Sequence, residues 1–258
     1  MAHIPTSAFQ KLFQTHRNIL ILEKNKTEKQ GIEIRRNVFS YPQIIVKIIG
    51  REDSAIVNAL MKNEITLINL FKEAERERLI NVFNRTSNKA IMARLNKKHA
   101  LNMQVPEGYY LATDTNDFVW LRRETEETSL GILIHTAPYT DTNIFTLNKI
   151  ITKQDSLMKQ YLPGQIKDSY MTTEKKHLIP IMQRISFKNK FAVETRGLWR
   201  MMGDFMGGPF INYTLIDEEN NRLVTLIGFV YAPKFEKRNY LLQTEALIYS
   251  TEFVKLTK

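Results

Sequence analysis

An apolar strand, a short polar loop and an amphipathic helix follow one another three times along the 258 residues, and this order constrains the fold more than any other feature. The first unit reads as strands over 18–22 and 43–49, separated by a Lys-rich polar loop and followed by a long helix. Ser54 is the expected cap of that helix, and Ile56, Leu60, Leu67, Phe71 and Ala74 return at helical spacing. Asn84-Arg85-Thr86-Ser87-Asn88 interrupts it, and a shorter helix runs to Lys97-Lys98, cations suited to a helix C-terminus. The second unit reads as strands over 109–113, 117–124 and 130–136. A helix capped by Asp141 or Thr142 follows, with Ile144, Leu147, Ile151, Met158 and Tyr161 on one face and Pro163-Gly164 as its stop. The third unit has strands over 184–188, 191–201, 210–216 and 222–231, then a helix with Leu242, Ala246, Tyr249 and Phe253 in one stripe.

The second and third units share a further detail. Ile132-Leu133-Ile134-His135-Thr136-Ala137-Pro138 and Leu226-Ile227-Gly228-Phe229-Val230-Tyr231-Ala232-Pro233 both close in Ala-Pro, where proline blocks further pairing. The pattern predicts an α+β fold of antiparallel sheets with helices packed on one face, built from loosely repeated strand-strand-helix units. No Gly/Ser/Pro-rich linker divides the chain, so one body over 1–258 is expected. Any seam between sub-domains is expected near 162–176.

Composition narrows the class. With 43% apolar and 25% charged residues the chain is an ordinary globular sequence large enough to bury a real core. Apolar runs such as Ile19-Leu20-Ile21-Leu22 are far too short to span a bilayer. The absence of cysteine excludes disulfides, thiolate zinc sites and cysteine nucleophiles. The net charge of +10 is uneven: residues 1–100 hold 18 Lys/Arg against 9 Asp/Glu, and residues 201–258 hold 6 against 7. An anionic partner for the first hundred residues is one reading. A solvated helix face is the other, since Lys72, Glu73, Glu75, Arg76, Glu77 and Arg78 alternate in sign.

Catalytic motifs are lacking. The ten glycines make neither a P-loop nor a dinucleotide fingerprint, and there is no G-x-S-x-G elbow or H-E-x-x-H helix. The five histidines stand singly, so no metal site and no cofactor are expected. His135, mid-strand and opposite in facing to Ile132 and Ile134, is a candidate general base whose simpler reading is a hydrogen-bonded structural histidine.

Residues 194–209 are the most unusual stretch. Alternation puts Glu194, Arg196, Leu198 and Arg200 on one strand face and Val193, Thr195, Gly197, Trp199 and Met201 on the other, with Gly197 making room for a ring such as Trp199 or Phe229. Met202-Gly203-Asp204-Phe205-Met206-Gly207-Gly208-Pro209 follows, read as a wide glycine-rich connection. Its bland reading has Phe205 and Met206 plugging the end of the core; the functional one makes it a binding loop. Arg196-Gly197-Leu198-Trp199 weakly resembles the aromatic strand of an RNA-binding sheet. The basic excess lies elsewhere, however, so nucleic acid is not expected.

Arg196-Gly197-Leu198-Trp199 with Asp204-Phe205-Met206-Gly207-Gly208-Pro209-Phe210 resembles the signature of an uncharacterised family of Bacteroidetes envelope lipoproteins, a domain of unknown function. Gly228-Phe229-Val230-Tyr231-Ala232-Pro233 with Lys237-Arg238, and His16-Arg17-Asn18-Ile19, are similar to its C-terminal and N-terminal signatures. The resemblance implies a protein on the periplasmic side of a membrane, lipid-anchored through a cysteine that this sequence lacks, so the anchor is expected outside this chain. It implies no activity and transfers no catalytic residue.

The leading expectation is a non-catalytic binding or assembly module of the cell envelope, with an envelope protein or a cell-wall component as partner. Its candidate binding residues are Arg17, Glu194, Arg196, Trp199, Asp204, Phe205, Gly207 and Gly208. Arg196 would pair an acidic group, the glycines would offer backbone N–H donors, Phe205 would supply apolar contact and Trp199 would buttress the site. The first alternative is an envelope hydrolase in which Glu194, Asp204 and His135 converge as acid/base groups. The second is anionic-surface binding through residues 1–100.

Overall fold

In the computed structural model, which describes residues 3–256, the chain divides into two compact units, Met1–Arg78 and Leu79–Lys258. The division falls inside a continuous helix, which is why no change of composition marks it. Residues 162–176 lie within the second unit, so the seam expected there is corrected.

The first unit contains α1 (Lys11–Gln14), β1 (Asn18–Lys24), β2 (Gly31–Arg36), β3 (Ile44–Gly50) and the start of α2 (Asp53–Arg85). β3, buried at six of its seven positions, is central; β1 pairs it in parallel and β2 antiparallel. Val46 and Ile48 take the underside of α2 through Ile56 and Leu67. β2 occupies part of the Lys-rich stretch read as loop, because Ile32 and Ile34 alternate against Ile48 and Val46. Ser54 is inside the helix rather than at its cap.

The second unit holds α3 (Lys89–His99), β4 (Leu101–Asn102), β5 (Tyr110–Asp114), β6 (Phe118–Glu124), β7 (Ser129–Pro138), α4 (Leu147–Tyr161), β8 (Tyr170–Thr173), β9 (Ile181–Phe187), β10 (Lys190–Met202), β11 (Gly207–Asp217), β12 (Arg222–Tyr231), α5 (Arg238–Tyr249) and β13 (Glu252–Phe253). Eight strands form one antiparallel sheet in the order β5-β6-β7-β12-β11-β10-β8, with β9 pairing the other half of β10. The two strands that close in Ala-Pro are neighbours, with Gly131 opposite Phe229 and Ile132 opposite Gly228. Each glycine leaves space for a partner. A Cβ on Gly131 would stand 2.1 Å from the Phe229 ring, and one on Gly228 would stand 2.9 Å from Thr244 of α5.

The α+β class with antiparallel sheets holds; the large sheet, however, carries helices on both faces rather than one. α3 and α5 close one face over Ile132, Ile134, Ile211, Tyr213 and Leu226, while α4 closes the other over Leu133, Phe118, Trp199, Phe210 and Ile227. The continuous apolar runs of β7 and β12 require this, since alternate residues of each must be buried on opposite sides. Asn88 caps α3 by accepting from the Ile91 N–H at 3.2 Å, and Ala100 ends it in the left-handed region. Asp141 caps a short 3-10 turn, Thr142–Phe145, ahead of α4.

Candidate binding site

Strand alternation on β10 sends Glu194 and Arg196 toward α5. Glu194, nearly inaccessible, accepts from Arg196 Nε at 2.7 Å and Nη2 at 3.0 Å, from Gln183 Nε2 at 2.6 Å and from the Tyr213 hydroxyl at 2.9 Å. Arg196 Nη2 also donates to Glu245 of α5 at 3.0 Å. One guanidinium thus joins two buried carboxylates, so its removal would leave buried negative charge uncompensated. Burial pushes the Glu194 carboxyl up, but Arg196, Tyr213 and Gln183 outweigh it and hold it below the usual range. Burial pulls the Arg196 guanidinium down, and the two carboxylates more than reverse that. Burial and the same carboxylates raise the Tyr213 phenol well above its ordinary value.

Gln183, Tyr213 and Glu245 escaped the sequence reading. Only Glu245 carried a signal. Its place three residues after Leu242 and four before Tyr249 puts a carboxylate on the buried side of α5.

Arg196 remains 32% exposed along its side chain. Its cross-strand neighbour Ile181, 71% exposed, and Leu198 two residues on share its face of the sheet. The result is an apolar shelf with a fixed guanidinium at its centre.

Trp199 and Gly208 belong to the opposite face. The indole N–H donates to the Val230 carbonyl at 3.1 Å, and the ring meets Phe229 edge-on at 5.8 Å. Gly208 makes that approach possible, because a Cβ there would stand 2.0 Å from the same carbonyl oxygen. Gly207 and Gly208 are not a loop: they open β11, paired with Arg200 and Trp199. Their strand position, set by the close packing of Trp199 and Val230, corrects the expected glycine connection. Gly197 makes room for Phe210, whose ring would stand 2.8 Å from an added Cβ, and not for Trp199 or Phe229.

The hairpin tip between β10 and β11 is short. Gly203 takes a φ of +83°, and Asp204 Oδ1 accepts from the Phe205 N–H at 2.7 Å. Phe205 is fully exposed, and only Met206 packs against the core, so the expected plug of both side chains is corrected. The strand from Arg196 to Met202 spans about 20 Å, which separates this tip from the guanidinium. Arg17, exposed in the first unit just ahead of β1, lends its carbonyl to the Ile44 N–H at 2.8 Å.

His135 lies on the α4 face, opposite to Glu194. It is buried, and its Nδ1 has no partner among the described residues. Burial, with Lys153 nearby and Asp117 opposing, brings its pKa down to about 4. Glu194, Asp204 and His135 therefore occupy two sheet faces and a hairpin tip, and the converging acid/base site is overturned. On the same face as His135, Thr214, Asn212, Gln154 and Thr173 form a hydrogen-bonded chain with links of 3.0, 2.9 and 3.0 Å, fastening α4 to the sheet.

Charge in residues 1–100 is partly matched in place. Lys47 bridges Glu23 and Glu28 at 3.0 and 3.1 Å, and Arg36 pairs Glu77 at 3.2 Å. Asp114 takes Arg94, Lys98 and His99 at 2.6, 2.8 and 2.8 Å, tying α3 to β5. Among the described residues no group of three or more His, Asp or Glu is placed to hold a metal, and no helix is long and apolar enough to cross a membrane.

With this geometry in view, the model of the domain of unknown function DUF4837 matches residues 88–250. The chain belongs to the DUF4837 family. Residues 1–84 match a second model, the domain of unknown function DUF8532, and the two matches follow the two structural units closely. A search of curated proteins found no match. Among solved structures, the chain is similar to cyanobacterial PsbP (CyanoP) from Synechocystis sp. PCC 6803, at 12% identity and a TM-score of 0.41, covering 60% of this chain and 88% of that one. It is similar also to LpqN of Mycobacterium tuberculosis, described as involved in cell envelope biogenesis, at 10% identity and a TM-score of 0.34, over 60% and 83% of the two chains. A point mutant of the protein Mog1 gives 10% and 0.34, over 60% and 92%.

Proposed function

We propose that this DUF4837 protein is a non-catalytic binding or assembly module of the cell envelope, held on the periplasmic side of a membrane by an anchor outside this chain. Its contact surface is the shelf of Ile181, Arg196 and Leu198, and its partner is an envelope protein or cell-wall component presenting a hydrogen-bond acceptor beside apolar surface. The observation that supports this reading is the state of Arg196. Glu194 and Glu245 hold the guanidinium through Nε and Nη2, and its outer edge stays accessible between exposed aliphatic side chains. Such a group offers a preset N–H donor with no further ordering cost on binding. Glu194 is not a free base, since four donors already engage it.

Because carboxylates already match the cation, capture rests on donor geometry and apolar contact, with weak dependence on salt. The test is a crosslinking pull-down from native envelope, comparing wild type with an Ile181→Ser/Leu198→Ser variant at low and high salt. A stoichiometric partner retained in salt and lost with the variant supports the shelf. Equal capture by both proteins sinks it, and capture that collapses with salt alone returns the question to the basic residues of the first unit.

A further inference from the structure

Asn18, Ile44 and Arg36 stand side by side at one end of the first unit's sheet, so α1 and the loop over 37–43 project from that same end. Gln43 locks the two segments together. Buried, it donates from Nε2 to the Gln14 and His16 carbonyls at 2.6 and 2.7 Å, and its Oε1 accepts from the Phe39 N–H at 2.9 Å. The Asn37 side chain accepts from the Gln43 N–H at 2.9 Å, the Ser40 hydroxyl donates to the Thr15 carbonyl at 3.1 Å, and Phe9 meets Phe39 edge-on at 6.3 Å. These polar groups face inward and satisfy one another. Outward stand Leu12, Val38, Phe39 and Tyr41, all exposed, Leu12 by 74% and Tyr41 by 76%. Unmatched charge at this end has one sign. Residues 1–22 and 34–51 hold Lys11, Arg17, Arg35, Arg36, Lys47 and Arg51 and no Asp or Glu. The carboxylates that reach this end are engaged: Glu75 by Asn18 and Arg78, Glu77 by Arg36 and Glu33 by Arg35. Lys11 and Arg17, exposed at the two ends of the α1 segment, pair with no carboxylate among the described residues.

We propose that this tip docks on an anionic phospholipid bilayer, laying Leu12, Val38, Phe39 and Tyr41 into the headgroup boundary with Lys11 and Arg17 against lipid phosphates. This docking rests on the membrane-side reading above but not on the shelf. A specific protein interface takes about 20–30 residues a side, several times what the tip offers. Contact with a bilayer boundary needs only a few apolar side chains beside cations, and carboxylates there would oppose it. The ties of Gln43 hold the four side chains outward before contact, so docking orders little chain.

The test is flotation of the full chain with phosphatidylglycerol and with phosphatidylcholine vesicles. Wild type is expected to float with phosphatidylglycerol, less so in high salt, and not with phosphatidylcholine. Leu12→Ser/Tyr41→Ser and Lys11→Glu/Arg17→Glu, all at exposed positions, should each lower the partition coefficient about tenfold or more with unchanged circular dichroism. Lys97→Glu/Lys149→Glu, an equal change of net charge at exposed positions of the second unit, should float as wild type does. Ile181→Ser/Leu198→Ser should also float, so the shelf and the tip can fail separately. Tyr41→Trp should shift its emission to shorter wavelength on phosphatidylglycerol and be quenched by brominated acyl chains. No flotation, equal flotation with both lipids, or either tip variant floating like wild type would overturn the proposal. So would a micromolar dimer in sedimentation equilibrium that Leu12→Ser/Tyr41→Ser dissociates, an outcome assigning the tip to a second copy. Binding of soluble polyphosphate as tight as that of vesicles would overturn it too, leaving the cations to a polyanion.

Discussion

The two faces of the eight-stranded sheet solve the same burial problem by different means. Toward α4, rings interlock with glycines: Phe229 over Gly131, Phe210 over Gly197, and Trp199 against the backbone that Gly208 leaves open. Toward α3 and α5, aliphatic residues share the core with the Phe187, Tyr213 and Tyr249 rings, and one charged cluster, Glu194, Arg196 and Glu245, closes the rim. Both faces resist added volume, the first at Gly131, Gly197 and Gly208 and the second at Gly228, but the second depends also on charge. Packing intolerance marks structure, whereas a charged rim that keeps one accessible edge is where recognition is available.

The largest expected effect breaks the charged rim. Arg196→Ala leaves two buried carboxylates side by side and should cost about 3–5 kcal/mol, read as a lower denaturant midpoint. Glu194→Gln should cost much less, because the amide still accepts from Arg196 and Tyr213. On the other face, Gly208→Ala should cost about 3 kcal/mol, since the obstructing atom is a backbone oxygen that cannot rotate away. Gly131→Ala meets only a side chain, so Phe229→Leu should restore part of its loss in a double-mutant cycle.

A pH titration separates the faces further. His135 has a folded pKa of about 4 against an ordinary 6.5, so between those values the unfolded chain holds a proton that the folded chain lacks. Stability should be full above that window and fall by on the order of 2–3 kcal/mol as pH drops through it, a slope that His135→Leu removes. The lowered carboxyls of Asp114 and Glu194 act at more acidic pH: their contribution is present above their ordinary values of 3.8 and 4.5 and is lost as pH falls through the folded ones. The smallest expected effect is at the hairpin tip. Phe205→Ser should leave thermal stability within about 0.5 kcal/mol, because that ring covers nothing.

Much of the large sheet was legible in the sequence. β12, Arg222–Tyr231, matches its expected bounds, and β10, β11 and the α4 stop at Pro163 lie close to theirs, because long apolar or alternating runs admit few other conformations. Illegible were short strands such as β4 and β13, which exist only because they find each other across 150 residues of chain. The candidate site was half legible. Alternation placed Glu194 beside Arg196, but Gln183, Tyr213 and Glu245 reach them from three other elements.

By itself, then, the sequence determined the α+β class, the facing of every residue along β10 and the lack of any local catalytic motif, since periodicity and spacing are properties of neighbours in the chain. Only the tertiary structure decided that helices cover both sheet faces, that Gly207 and Gly208 lie in a strand, and that His135, Glu194 and Asp204 never meet. Those outcomes depend on which distant surfaces bury one another, and burial is settled by the whole chain at once.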